Sequence, residues 1–207
     1  MGANCCDHNS GCDTSRKMPA RYRRVLWIAL VVNAAMFGVE VLAGVNAGSV
    51  SLLADSLDFL GDAANYGISL WVLGLGLAMR ARASLLKAGT MALFGTGVLV
   101  TAIWNAAQGQ VPDAPTMGVI GALALLANLS VAVLLYAWRD GDSNMRSVWL
   151  CTRNDAIGNL AVLAAALGVF GTGSAWPDLA VAAIMASLAL SSSLQILRHA
   201  RSELAAT

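Results

Sequence analysis

Five carboxylates stand inside stretches that otherwise read as lipid-crossing helices. Asp55, Asp58 and Asp62 lie at i, i+3 and i+7 within Gly48–Asp62, so a helix places all three on one face. The opposite face carries Leu53, Leu57, Phe59 and Leu60. A charged Asp at mid-bilayer costs about 3 kcal/mol on insertion scales, and such groups usually face a protein interior or a water-filled cavity. An acidic stripe on a buried helix is a cation site by default. The plainer reading is a helix end in water, capped by its acids. A second stretch, Trp149–Asn159, sets Cys151, Asp155 and Asn159 at i, i+4 and i+8 on a shared face. Asp58 and Asp62 from one helix, with Cys151 and Asp155 from the other, offer two ligands each and can close the tetrahedral site that zinc prefers. For Cys151 alone the competing reading is a small buried hydrophobe.

Two further groups bear ligand chemistry. Cys5, Cys6, His8 and Cys12 put three thiols and an imidazole within eight residues, a set able to wrap a soft metal. Their spacing follows no standard zinc-finger pattern, and a solvated tail with incidental cysteines explains them equally well. Glu40 shares a helical face with Asn33, seven residues earlier. It is either part of a proton or ion path or a structural hydrogen-bond partner.

These residues must be positioned by helices in a membrane. Hydrophobic residues make up 57% of the 207-residue chain and charged ones 12%, against about 25% charged in soluble domains. Six Ala- and Leu-rich segments approach the roughly 20 residues a crossing needs, at about 25–46, 50–79, 86–108, 116–138, 147–171 and 176–198. No short alternating segments suggest a barrel. The expectation is an all-α, six-helix membrane protein: a Cys/His-containing tail over residues 1–24, a transport-type bundle over 25–198 and a short tail over 199–207. Lys and Arg gather before segment 1, in or beside the 2–3 and 4–5 links, and after segment 6. That bias puts both termini in the cytoplasm. Thiols there stay reduced, so disulfides are not expected, and the first apolar run is too long for a secretory signal. A net charge of +1 gives no argument for nucleic acid.

Other residues read as structural. Gly48-Ser49 suits an N-cap for segment 2. Asp178, after Trp176-Pro177, reads as a helix-terminus cap rather than a ligand. Segments 3 and 4 look like packing helices, with Lys87 at the cytoplasmic edge and Thr101, Asn105 and Asn128 as polar exceptions. The pattern Asn128-Leu129-Ser130 matches a glycosylation acceptor but lies inside a segment.

The sequence resembles the cation diffusion facilitator (cation efflux) family of divalent-metal/proton antiporters. The motifs are Gly48-Ser49, Leu53-Ala54-Asp55-Ser56-Leu57-Asp58 and Asp62, then Cys151-x3-Asp155-x3-Asn159, with Asn33, Glu40 and Trp176-Pro177-Asp178 in support. The resemblance implies a transport site made of Asp58, Asp62, Cys151 and Asp155, with Cys151 standing where the family usually has His. A thiolate there favours zinc or cadmium over manganese or magnesium. It implies a non-enzymatic exporter of a divalent cation such as Zn2+, exchanging it for protons by alternating access, as a multi-pass protein of a bacterial inner (plasma) membrane. The alternative function is a membrane metal sensor or chaperone that binds without transport. The family's usual cytoplasmic domain after the sixth helix is not in this sequence, so the homodimer it implies is expected to rest on helices, first on Gly89, Gly95 and Gly97, then on Gly67, Gly74 and Gly76. The implied partners are divalent metal ions, protons, the lipid bilayer and a second copy of the chain.

Overall fold

The computed structural model describes residues 20–71, 77–138 and 143–205. Six helices follow one another: α1 (Ala20–Ala47), α2 (Val50–Trp71), α3 (Leu77–Gln108), α4 (Ala114–Tyr136), α5 (Ser143–Thr172) and α6 (Trp176–Ala205). The fold is an all-α membrane protein, as expected. Five of the helices are long and apolar enough to cross a bilayer by length and composition. The sixth, α2, carries the three aspartates and is the one most enclosed by its neighbours, packing against α1, α3, α5 and α6. Large apolar side chains on the outer helices point away from the bundle: Leu93 is 72% exposed, Val133 73% and Phe170 77%. An apolar surface of this kind is unstable in water and suits lipid.

Several boundaries differ from the sequence expectation. Residues 77–79, expected in the second helix, belong to α3, which is under way at Leu77 rather than near 86; α1 begins at Ala20 rather than near 25, and α6 runs to Ala205 rather than to about 198. Apolar composition continues from the second helix toward the third, so hydropathy alone does not separate them. Gly74 and Gly76 lie outside the described residues.

Neighbouring helices pair antiparallel, with α1 on α2, α4 on α5, and α3 on α6. The pairs meet through small residues. A Cβ on Gly44 would lie 2.9 Å from Leu53, and one on Gly121 of α4 would lie 3.3 Å from Leu163 of α5. Gly95 seats Leu190 of α6, and Gly67 seats Trp71 and Leu30. Both glycines are therefore spent on contacts within the chain, which removes them from the expected dimer seam. Gly89 and Gly97 have nothing within 4 Å.

The α1–α2, α3–α4 and α5–α6 links lie at one end of the bundle. At the first of them Gly48 takes φ +66°, a left-handed conformation that glycine adopts without steric cost. Ser49 then caps α2 as expected, its Oγ accepting from the Leu52 amide at 3.2 Å. We call this the glycine-turn end. The opposite, basic end carries Arg21, Arg23 and Arg24 at the start of α1 and Arg198 and Arg201 near the close of α6.

Candidate functional site

The acidic line of α2 descends from the glycine-turn end toward the basic end. Asp55 and Asp62 are buried, and Asp58 between them is half-buried. All three look onto α5, Asp62 at Thr152 and the other two at Gly158, which leaves room for them. A Cβ at Gly158 would lie 3.7 Å from Asp58 Oδ2 and 3.9 Å from Asp55 Oδ1.

Nearest the basic end, Asp62 is tied to α5 through two hydroxyls. Tyr66, one helical turn along α2, donates to Asp62 Oδ2 at 2.7 Å. The Tyr66 hydroxyl also lies 2.6 Å from Thr152 Oγ1, and Thr152 donates to the same Asp62 oxygen at 3.3 Å. Asp155 stands close enough to act electrostatically on Tyr66. Tyr66 is 1% exposed and Thr152 0%, so the network is shut off from solvent. Neither hydroxyl stands out in the sequence reading. Tyr66 carries one usable signal, its i+4 spacing from Asp62; Thr152 carries none beyond its place beside Cys151.

Toward the glycine-turn end, Asp55 Oδ2 accepts from Asn159 Nδ2 at 2.6 Å. Asn159 Oδ1 accepts in turn from Asn128 Nδ2 of α4 at 2.9 Å. Asn128 therefore joins α4 to the site, which corrects the view of that helix as packing alone, and its burial inside α4 bears out the reading of Asn128-Leu129-Ser130 as a chance match. Glu40 of α1 is fully buried and faces Asp55. Asn33 lies two turns along α1 from Glu40 and turns its amide back to Ala29 O at 2.8 Å. On α3, Lys87 is buried and donates to Asn65 Oδ1 of α2.

Asp178 binds no site residue. It caps, as expected, but the helix it caps is α2. Its Oδ1 accepts from Ser49 Oγ at 2.7 Å and from the Ser51 amide at 3.0 Å, and its Oδ2 accepts from the Val50 amide at 2.8 Å. A carboxylate at a helix N-terminus satisfies orphan amides and meets the positive end of the dipole.

Of the four expected ligands, Asp58, Asp62 and Asp155 lie along the α2–α5 seam. Cys151 stands on the α5 backbone one turn before Asp155, but its side chain lies outside the described residues, as do Cys5, Cys6, His8 and Cys12. Among the described residues no three His, Cys, Asp or Glu side chains converge closely enough to hold a metal ion. Asp62 instead spends one oxygen on Tyr66 and Thr152.

A family model described as the cation efflux transmembrane domain matches residues 26–205. The metal cation efflux system protein CzcD of Cupriavidus metallidurans is 27% identical over 190 residues, which cover 84% of this chain and 59% of that protein. The zinc transporter ZitB of Pectobacterium atrosepticum is 29% identical over 194 residues, with 86% and 60% covered. ZitB of Escherichia coli is 28% identical over 195 residues, with 88% and 62% covered. The chain thus spans about three-fifths of the length of these relatives. The match takes in both helices of the acidic seam and the α1 and α4 residues that back it, and by it this chain belongs to the cation efflux, or cation diffusion facilitator, family.

Proposed function

We propose that this chain exports a divalent metal ion of the zinc and cadmium class in exchange for protons, through alternating access. The observation that carries the reading is the α2–α5 seam: carboxylates enclosed by a lipid-facing bundle, from two helices, on facing surfaces. The names of the relatives, a metal cation efflux protein and zinc transporters, support the cargo class.

Asp58 and Asp62 of α2 with Cys151 and Asp155 of α5 are the proposed transport site. Carboxylate and thiolate bind metal only when deprotonated, so metal loading expels protons. Withdrawn from water, the same carboxylates favour their neutral forms once metal leaves, and so recapture protons. Each proton moving inward gains about 2.3 kcal/mol per 100 mV of membrane potential. Tyr66 and Thr152 hold Asp62 while no metal is present and release it on loading. Their hydroxyls thereby spare a buried carboxylate from standing unsatisfied. A Cys151 thiolate adds a soft donor that suits zinc and cadmium. We propose a transporter rather than an enzyme, working as a homodimer with both termini in the cytoplasm; the cysteine-containing tail would collect metal.

Purified protein in liposomes, loaded with zinc, cadmium, cobalt or manganese with and without a pH gradient, tests the reading. Zinc and cadmium should cross, and faster when the gradient favours exchange. Tight binding with no flux for any metal would leave a sensor or chaperone instead.

A further inference from the structure

Glu40 is the least accounted-for group in the bundle. It is fully buried on α1, and among the described residues no N–H or hydroxyl donor reaches either of its carboxyl oxygens. It faces Asp55, itself fully buried, whose Oδ1 also has none. The other Asp55 oxygen is occupied by Asn159, which Asn128 holds in place. Three carboxyl oxygens therefore share one enclosed spot that no donor reaches.

No described positive charge offsets them. From α2, the ionisable groups that bear on Glu40 are Asp55 and Asp58, both acidic. The helix α4, packed on the other side of α1, contains no Asp, Glu, Lys, Arg or His. The arginines of α1 lie at its basic end, and Arg153 of α5 is exposed. Asp178 of α6 is engaged at the α2 cap. Two unpaired carboxylates face to face in such a place are far too costly to persist, and burial of this kind is relieved by neutralisation. The cation that fits is the smallest one. A divalent metal held by two carboxyls alone must complete its shell with water, which this enclosed spot does not favour, and no third His, Cys, Asp or Glu side chain joins them among the described residues. One proton satisfies both: Glu40 as the acid donates to Asp55 Oδ1, and one negative charge remains, spread over the pair.

We propose that Glu40 and Asp55 form a proton-holding carboxyl pair, separate from the metal ligands and placed between them and the glycine-turn end. The step is simple. An O–H bond forms on Glu40 as a hydrated proton gives up its hydrogen ion, and the same bond breaks when that ion is handed on. No electrons change hands. The direction of travel rests on the exporter reading above; the pair itself rests on the burial of both carboxyls and on the donors their oxygens lack. Its consequence is that part of the proton coupling sits on residues that never touch the metal.

Infrared spectroscopy of the whole protein in lipid tests the pair directly. At neutral pH and with zinc bound, so that the α2–α5 ligands are deprotonated, the wild type should show the carbonyl stretch of a neutral carboxylic acid. That band should persist in the Asp58→Asn/Asp62→Asn double variant and disappear in Glu40→Gln. Absence of the band in wild type, or its survival in both Glu40→Gln and Asp55→Asn, overturns the proposal. Should Glu40→Gln fail to assemble, Asp55→Asn and the wild-type band still decide it. In liposomes reporting both ions, Glu40→Gln should bind zinc with unchanged affinity but move fewer protons per zinc and respond less to a pH gradient. Loss of zinc binding would put Glu40 on the metal and equally overturn the pair. A wild type that moves no zinc would instead defeat the exporter reading, while the infrared result still stands.

Discussion

The hydroxyl of Tyr66 sits between Asp62 of α2 and Thr152 of α5, within hydrogen-bond distance of both. For Asp62 to ligate a metal through Oδ2, that contact must break. A hydrogen bond to a charged group contributes about 1.5–3 kcal/mol, so its loss matters to affinity. Tyr66→Phe should therefore bind zinc about tenfold more tightly, by the usual conversion of free energy to affinity, with the fold intact. Zinc titration of the purified variant checks this; weaker binding would mean that Tyr66 assists the metal rather than competing with it. Cys151 is tested by softness. Cys151→Ser should weaken cadmium transport more than cobalt transport, and Cys151→His should restore zinc. Equal loss for every metal would assign Cys151 to packing.

At the scale of elements, Asp178 fastens the first turn of α2 to α6. Removing it leaves the Val50 and Ser51 amides and the Ser49 hydroxyl without this acceptor inside a closed bundle. Each buried group left unsatisfied costs about 1–3 kcal/mol. Asp178→Ala should lower the melting temperature in detergent clearly, and Asp178→Asn less so, since an amide oxygen still accepts. No change in melting would show that water replaces the cap at no cost. The identity of this cap was readable from Asp178's place at a helix start, but its target was not. Asp178 meets residues nearly the whole transmembrane bundle away along the chain, and no local pattern encodes that. The acidic face of α2 was legible because helical periodicity is local. The Asp62–Tyr66–Thr152 and Asp55–Asn159–Asn128 chains were not, because each is closed by a residue from another helix. The division between α2 and α3 was misplaced for a third reason: apolar residues continue from one helix toward the next, so hydropathy alone cannot assign residues 77–79 to α3.

At the scale of the molecule, the outward-facing surfaces of α3, α4 and α5 are apolar and small-residue-rich by turns, and Gly89 and Gly97 of α3 lie open. Close approach of helices in lipid needs such residues. A homodimer through α3 should be seen as a two-chain mass in lipid nanodiscs, with cysteines introduced at Gly89 or Gly97 cross-linking between copies. A monomer that still transports would remove the dimer from the account.

Exchange of metal for protons across the α2–α5 carboxylates is the central claim, and zinc flux in liposomes with an imposed pH gradient tests it most directly. Zinc should move toward the acidic compartment in wild type. It should fail to do so in Asp58→Ala, Asp62→Ala and Asp155→Ala, each inserted and folded. Zinc flux in wild type that ignores the gradient, or any two of these variants transporting at the wild-type rate, would contradict it.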